Sequence, residues 1–364
     1  MQYHPRLAIV AVALSAPWIL AQAPQHLVVP AAHSTSDAPS QLWIPGANNP
    51  VRQQTIVGAA HLQALQGHSI TAIELRRTAK DRAFPGGSTN ITVTLSTSPR
   101  QPLAMARTFA DNVGGDAAVV FSGTVALPAS PAELGPTVAW SPANTVRIAL
   151  QNPFAYVAGP LCIDVTGAPI AGQTTDDWLA DAAFEDLSGA VVEFGAGCGN
   201  YAGNTGAWSS ASERSLVPGC AARFRAYGTP GGLAIAAFGA PAAGPMPLSA
   251  FGVPAPGCAV HLDPTQVLAT TLHWFEPQGD PLLAARGGVA EAFVQLPGDP
   301  WLFGLTLATQ WFDLAQPATS NALQWTVAAQ LPTLDMAFCE GHPSQPQAEV
   351  VAPYRAHVLR FEFQ

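Results

Sequence analysis

Charge is the scarcest feature of this 364-residue chain. Asp, Glu, Lys and Arg together make up 11%, against roughly 25% in an average soluble domain. Lysine occurs once, at Lys80, and the formal net charge is −9. Phosphate binding needs clustered cations. The arginines are scattered, Arg76–Arg77, Arg223 and Arg225 among them, which argues against nucleic acid as a partner. Long apolar runs are missing beyond the N-terminus, so the mature chain is expected to hold no membrane span. Long helices have little room, because 32 glycines and 34 prolines are spread along the sequence and break it into short pieces. Catalytic signatures are missing too. There is no G-x-S-x-G elbow, no H-E-x-x-H and no C-x2-C zinc spacing. Gly195, Gly197 and Gly199 imitate a dinucleotide fingerprint without the helix that must follow it. Catalysis is therefore not expected, and no catalytic residue is assigned.

What is present begins with the leader. Met1–Arg6 is followed by the apolar run Leu7–Ala16, stopped at Pro17, and then by Ala21-Gln22-Ala23. That is the order of a cleaved signal peptide over residues 1–23, with cleavage after Ala21 as the alternative because Pro24 follows. The expectation is export to the periplasm, cell surface or exterior, where disulfides persist. Five cysteines are available: Cys162, Cys198, Cys220, Cys258 and Cys339. An odd count leaves at least one thiol free or shared with another chain. Cys198 with Cys220 is the expected bridge, clipping a Gly/Ser/Asn-rich loop and contributing about 3 kcal/mol in the chain-entropy treatment. Cys258 with Cys339 is the expected second. Cys162, within LCIDV, reads as a buried free thiol.

Short strand-like segments recur throughout. Arg52–Val57, Ser69–Arg77, Asn90–Ser96, Ala117–Leu127, Thr145–Leu150 and Leu161–Val165 lead to Ala190–Phe194 and Ala221–Tyr227, which flank the clipped loop. Asn90–Ser96 alternates most cleanly, with Ile91, Val93 and Leu95 on one side. Asn152–Tyr156 reads as an aromatic corner. After Gly228–Gly232 polar alternation weakens, and strands are expected over Leu233–Phe238, Ala259–Leu262, Val267–Phe275, Ala290–Leu296, Trp301–Phe312, Leu323–Ala328 and Ala356–Phe363. A short helix over Leu302–Leu314 is the alternative for one of these. The predicted fold is all-β, with two antiparallel β-sandwich, jelly-roll-like domains behind the signal peptide. The first covers 24–228 with its Cys-clipped loop, and the second, smaller one covers 229–364.

The ordered set RQQTIV, ITAIELRR, ITVTLSTSP, TFADNVGGDAAVVFSG, NPFAY and GPLCIDVTG, followed by FGAGC, resembles a group of exported, β-rich, uncharacterised proteins of planctomycete-type bacteria. GPMPLSAFGVPAPGCAVHLDP and LATQWFDLAQPATSNALQWTV resemble a second module of the same proteins. The resemblance implies export and β architecture; it carries no site residues.

Two constellations remain as candidate sites. Asp176, Asp177 and Asp181 lie in the densest acidic run, and oxygen ligands close in sequence suit Ca2+. The EF-hand pattern is absent, and Asp177, Asp181 and Glu185 also fit one solvated helix face. No other cofactor is expected. Carboxylate pairs for glycoside chemistry would come from this run or from Asp263 and Glu291. The second constellation is aromatic. Trp178 and Trp208, set among polar residues, are the candidate rings for stacking on a ligand, while Trp274, Trp301, Trp311 and Trp325 are expected to pack in the core, with stacking on sugars as the alternative. The functional expectation is an exported envelope or extracellular protein of structural, adhesive or ligand-binding role. The alternative is a carbohydrate-binding module or an accessory to a carbohydrate-active enzyme, and the expected partner is a glycan or an envelope component.

Overall fold

The structure, a computed structural model, describes residues 24–173, 178–199, 209–277 and 287–364. The expected signal peptide, Asp176, Asp177 and Trp208 lie outside the described residues. The fold is all-β, built from antiparallel sheets. Its helical elements among the described residues are short 3-10 turns, the longest spanning Ala59–Leu65.

A four-stranded sheet runs β1 (Gln25–Val29), β21 (Leu359–Phe363), β4 (Ser69–Arg76), β7 (Thr145–Ala155). A six-stranded sheet runs β19 (Val350–Ala352), β18 (Met336–Gly341), β3 (Val51–Val57), β8 (Leu161–Pro169), β5 (Gly87–Thr97), β6 (Ala118–Leu127). They share one apolar core. Ile73, Leu75, Ile148 and Phe361 of the first sheet cluster with Val57, Val93, Leu95 and Ile163 of the second. A fully buried side chain such as Phe361 contributes about 2–3 kcal/mol. In β4 simple alternation would set Ile70 on the face of Glu74. The register shifts between Ile70 and Ala72 against both neighbours, and this bulge turns Ile70 into the same core as Ile73 and Leu75. The outer face carries Glu74 between Arg147 and Arg360.

A three-stranded sheet, β2 (Ser40–Trp43), β9 (Leu179–Phe184), β20 (Arg355–His357), lies beside these two. Leu179–Phe184 is therefore strand, so Asp181 does not lie on the helical face that the Asp177/Asp181/Glu185 spacing suggested. Arg76, fully buried, donates to the carbonyls of His33, Ser36 and Val138 and to Asp181 Oδ2 at 2.5 Å. The remaining strands form β10 (Ala190–Phe194), β17 (Ala318–Thr326), β16 (Thr306–Asp313), β13 (Leu233–Pro247), β14 (Ala259–Trp274) in one sheet and β11 (Ser209–Ala211), β12 (Ala221–Gly228), β15 (Gly288–Gln295) in another. Their common core centres on Phe224, whose ring lies 5.2 Å from both Phe238 and Trp325.

Strand pairing does not follow the expected cut at residue 228. β18 lies between β19 and β3, β20 pairs with β9, and β21 lies between β1 and β4. The last thirty or so residues thus complete the sheets begun by the first. The strands from β10 to β17 form an intervening unit. Its two ends meet, since Leu187 and Ala328 belong to one apolar cluster with Tyr354. The expected corner at Asn152–Tyr156 is also revised: β7 continues through Ala155.

The disulfide joins Cys198 to Cys258, not to Cys220. It ties the segment after β10 to the turn before β14, inside a cluster with Leu248 and Leu262. Cys220 is buried among Val217, Tyr354 and Ala352 at the meeting of the two units. Cys339 is buried on β18 beside Met105 and Phe109, so the expected Cys258–Cys339 bridge is also absent. The expected pairing rested on the polar loop between Cys198 and Cys220 having no core of its own, but Cys198 packs instead with Leu248 and Leu262 beside Cys258. The sequence separation of 60 carries roughly 4 kcal/mol in the same entropy treatment. Cys162 is buried and free, as expected.

Candidate functional site

β3 and β18 pair so that Gln53 faces Glu340 directly, which puts both side chains on one face of the sheet. Along β3, Val57, Thr55 and Gln53 share that face, so it turns from apolar core to polar margin as it nears the surface. Gln53 is 3% exposed, and its Nε2 donates to Glu340 Oε2 at 2.5 Å. Trp43, at the end of β2, is 43% exposed. The loop between β2 and β3 brings it to the same place. That loop is held by Gly46, whose φ is +73° and whose missing Cβ would stand 2.4 Å from the Ala168 nitrogen. Only glycine combines that φ with so close a backbone approach. Thr89 Oγ1 donates to the Pro45 carbonyl from below.

These elements enclose an open groove of about 350 Å3, walled by Trp43, Asn49, Gln53, Glu340, His342 and Glu349 among others. A second hollow of about 300 Å3 shares Trp43, Glu340 and Val350 with it and adds Arg355. Trp43 therefore borders both. Beneath, Gln53, Thr55 and His357 form the polar part of an enclosed space of about 30 Å3 among Ile73, Leu75 and Leu359, room enough for a water. Gln53 Oε1 is buried without a hydrogen-bond partner, which marks the groove wall as a place where a donor is wanted. Burial pushes the Glu340 carboxyl up from the usual range and Glu349 adds to this, while the Gln53 hydrogen bond and Arg355 pull the other way. Burial holds His357 down at about 4. It is therefore neutral at pH 7 and contacts the Trp43 carbonyl at 3.3 Å. An aromatic face, amides and carboxylates in one groove suit a ligand with apolar C–H faces and many hydroxyls.

The residues expected to carry the site are elsewhere. Trp178 is fully buried, with its ring against Phe84 and its Nε1 donating to the Pro128 carbonyl, so it offers no stacking surface. Asp181 is buried and committed to Arg76 and the Ala38 amide. Asp263 closes a local turn through Thr265 and Gln266, while Glu291 binds Arg223 and Arg225. Of the later tryptophans, Trp311 and Trp325 are core and Trp274 and Trp301 are exposed. His26, Glu74 and Glu362 also come together, but Arg147 and Arg360 already neutralise the two carboxylates. Sequence reading missed Trp43, Gln53, Glu340 and Glu349. The one local signal was a Gln-Gln pair inside RQQTIV, polar side chains in a strand flanked by core positions. Comparison with protein-family models, curated proteins and solved structures finds no match.

Proposed function

We propose that this is an exported β-rich protein that binds glycan through the Trp43 groove and has a structural or adhesive role at the cell envelope or outside it. The observation that carries the reading is a tryptophan ring, partly exposed at the wall of an open groove whose other lining groups include buried Gln53 and half-buried Glu340. The ring supplies the apolar platform and the amide and carboxylates take hydroxyls. The low cation content, the Cys198–Cys258 bridge and the motif order resembling exported planctomycete-type proteins support export and a non-nucleic-acid partner. The two sheet groups with separate cores are read as two β-sandwich units. Calcium, which Asp176 and Asp177 could attract, enters as a variable of the test. The mature chain is screened on a glycan array with Ca2+ and with chelator, beside Trp43→Ala. Binding that falls at least tenfold in the variant is expected. No glycan bound under either condition would sink the proposal.

A second reading is hydrolysis, favoured by Glu340 and Glu349 lining one groove. Glu340, with its raised pKa, would serve as the acid. Release of reducing ends from a bound glycan, abolished in Glu340→Gln, would support it. Intact glycan after prolonged incubation would leave binding alone.

A further inference from the structure

The turn that closes the Trp43 groove also closes another. A groove of about 580 Å3 is walled by Gln345, Gln347 and Glu349 of the β18–β19 turn and by Trp274 at the end of β14. Glu349 lines both grooves. Trp274 is 60% exposed, so each groove presents an aromatic ring to solvent.

The turn between them is held in place. Arg107 stacks on Phe293 at 3.5 Å, and its Nε donates to the Ala348 carbonyl at 2.8 Å while Nη1 donates to Gln347 Oε1 at 2.5 Å. The Ala348 amide donates back to the Arg107 carbonyl at 2.8 Å, and the Phe109 amide reaches Pro346. A fixed crest between two aromatic platforms loses little entropy when a ligand lies across it. The Trp43 groove is lined by Glu340 and Glu349 without lysine or arginine, so an anionic polymer would be repelled there. In the second groove the Arg107 guanidinium is taken up by Phe293, Ala348 and Gln347, and Arg223 shares Glu291 with Arg225.

We infer that the two grooves are subsites of one path for a linear, uncharged polysaccharide chain, with one sugar on Trp43, another on Trp274, and Glu349 and Gln345 taking hydroxyls between them. This rests on the glycan reading of the Trp43 groove and deepens it. Linked subsites raise affinity with ligand length until both are filled.

The test is titration calorimetry of the full chain with neutral oligosaccharides graded upward from the disaccharide, and with a uronic acid polymer as the anionic arm. Affinity for the long neutral oligomers is expected to exceed that for the disaccharide by about tenfold or more, the worth of one further stacked ring at roughly 1.4 kcal/mol per decade. Trp274→Ala should remove that gain. Leu134→Ala, a change at an exposed residue that lines neither groove, should leave the whole length series as it was. Affinity flat with length and unaltered by Trp274→Ala, with Trp43→Ala still damaging, would overturn the extended path and leave the single groove. Failure of every oligomer to bind, with Trp43→Ala silent, would instead remove the glycan reading itself. Preferential binding of the uronic acid polymer would overturn the choice of an uncharged chain.

Discussion

His357 is buried against the Phe338 ring and the Trp43 carbonyl, and its pKa falls from 6.5 to about 4. Below pH 6.5 the unfolded chain takes up a proton there that the folded one refuses, so this residue's contribution is full above pH 6.5 and is lost toward pH 4. The span corresponds to about 3 kcal/mol. Asp181 works the other way. Burial raises it from 3.8 to about 6 against its hydrogen bond to Arg76, so the folded state holds the proton more tightly and stability declines as pH climbs from about 4 to 6. Urea unfolding of the wild type is therefore compared with that of His357→Gln, whose amide can still reach the Trp43 carbonyl, because the difference isolates His357 from every other titrating group. The variant should gain on the wild type as pH falls from 6.5 toward 4. A difference that stays constant across that range would show that His357 does not contribute. The thiols give a second check at this scale. Burial pushes Cys162 up to about 12 and raises Cys220 and Cys339 as well, and the thiolate is the reactive form. A thiol reagent should find essentially none in the native protein, three after denaturation and five after reduction. Only one group after denaturation, as two bridges would leave, would contradict the single Cys198–Cys258 bond.

The loop between β2 and β3 positions the groove, and two glycines hold it. A Cβ at Gly167 would stand 2.5 Å from the Gly46 nitrogen, the counterpart of the contact at Gly46 itself. Gly46→Ala and Gly167→Ala should each cost about 3 kcal/mol and weaken glycan binding through displacement of Trp43. Gly67 also has a positive φ, +77°, but nothing lies within 4 Å of its Cβ position, so Gly67→Ala should cost only about 1 kcal/mol. Equal midpoints for all three in urea would show that close approach is not what the loop depends on. How much of this was legible depended on one-sided burial. β5 and β21 could be read because one face is core and the other is less buried, leaving a period of two. β9 and β18 could not, because both faces are covered. Phe338 packs on one side of β18, with Ala337 and Cys339 on the other, and the alternation vanishes. The candidate site was illegible for a further reason. Trp43, Gln53 and Glu340 come from three strands, and Gln53 and Glu340 lie 287 positions apart in the chain. Only the β3–β18 register brings Gln53 and Glu340 together.

At the scale of the whole molecule, the composition shift near residue 228 marks a change of surroundings but no boundary of folding. β18 occupies an interior position of the six-stranded sheet, and β21 separates β1 from β4. A fragment of residues 24–228 would lack both and would carry unpaired strand edges beside an opened core. It should fail to give a cooperative urea transition. Joining 24–187 to 329–364 through a short Gly/Ser linker restores every strand of the first two sheets. The linker has a short gap to bridge, because Leu187 and Ala328 both pack in the cluster around Tyr354. This spliced chain should unfold cooperatively. It should be less stable than the full chain, since Ala221 and Phe293 no longer cover Met105, Phe109 and Cys339. It keeps Trp43, Gln53, Glu340 and Glu349 but loses Trp274, so it should bind short neutral oligosaccharides without the gain for long ones. Cooperative folding of 24–228, with a spliced chain that stays unfolded, would reverse the assignment of the last strands and return the boundary to residue 228.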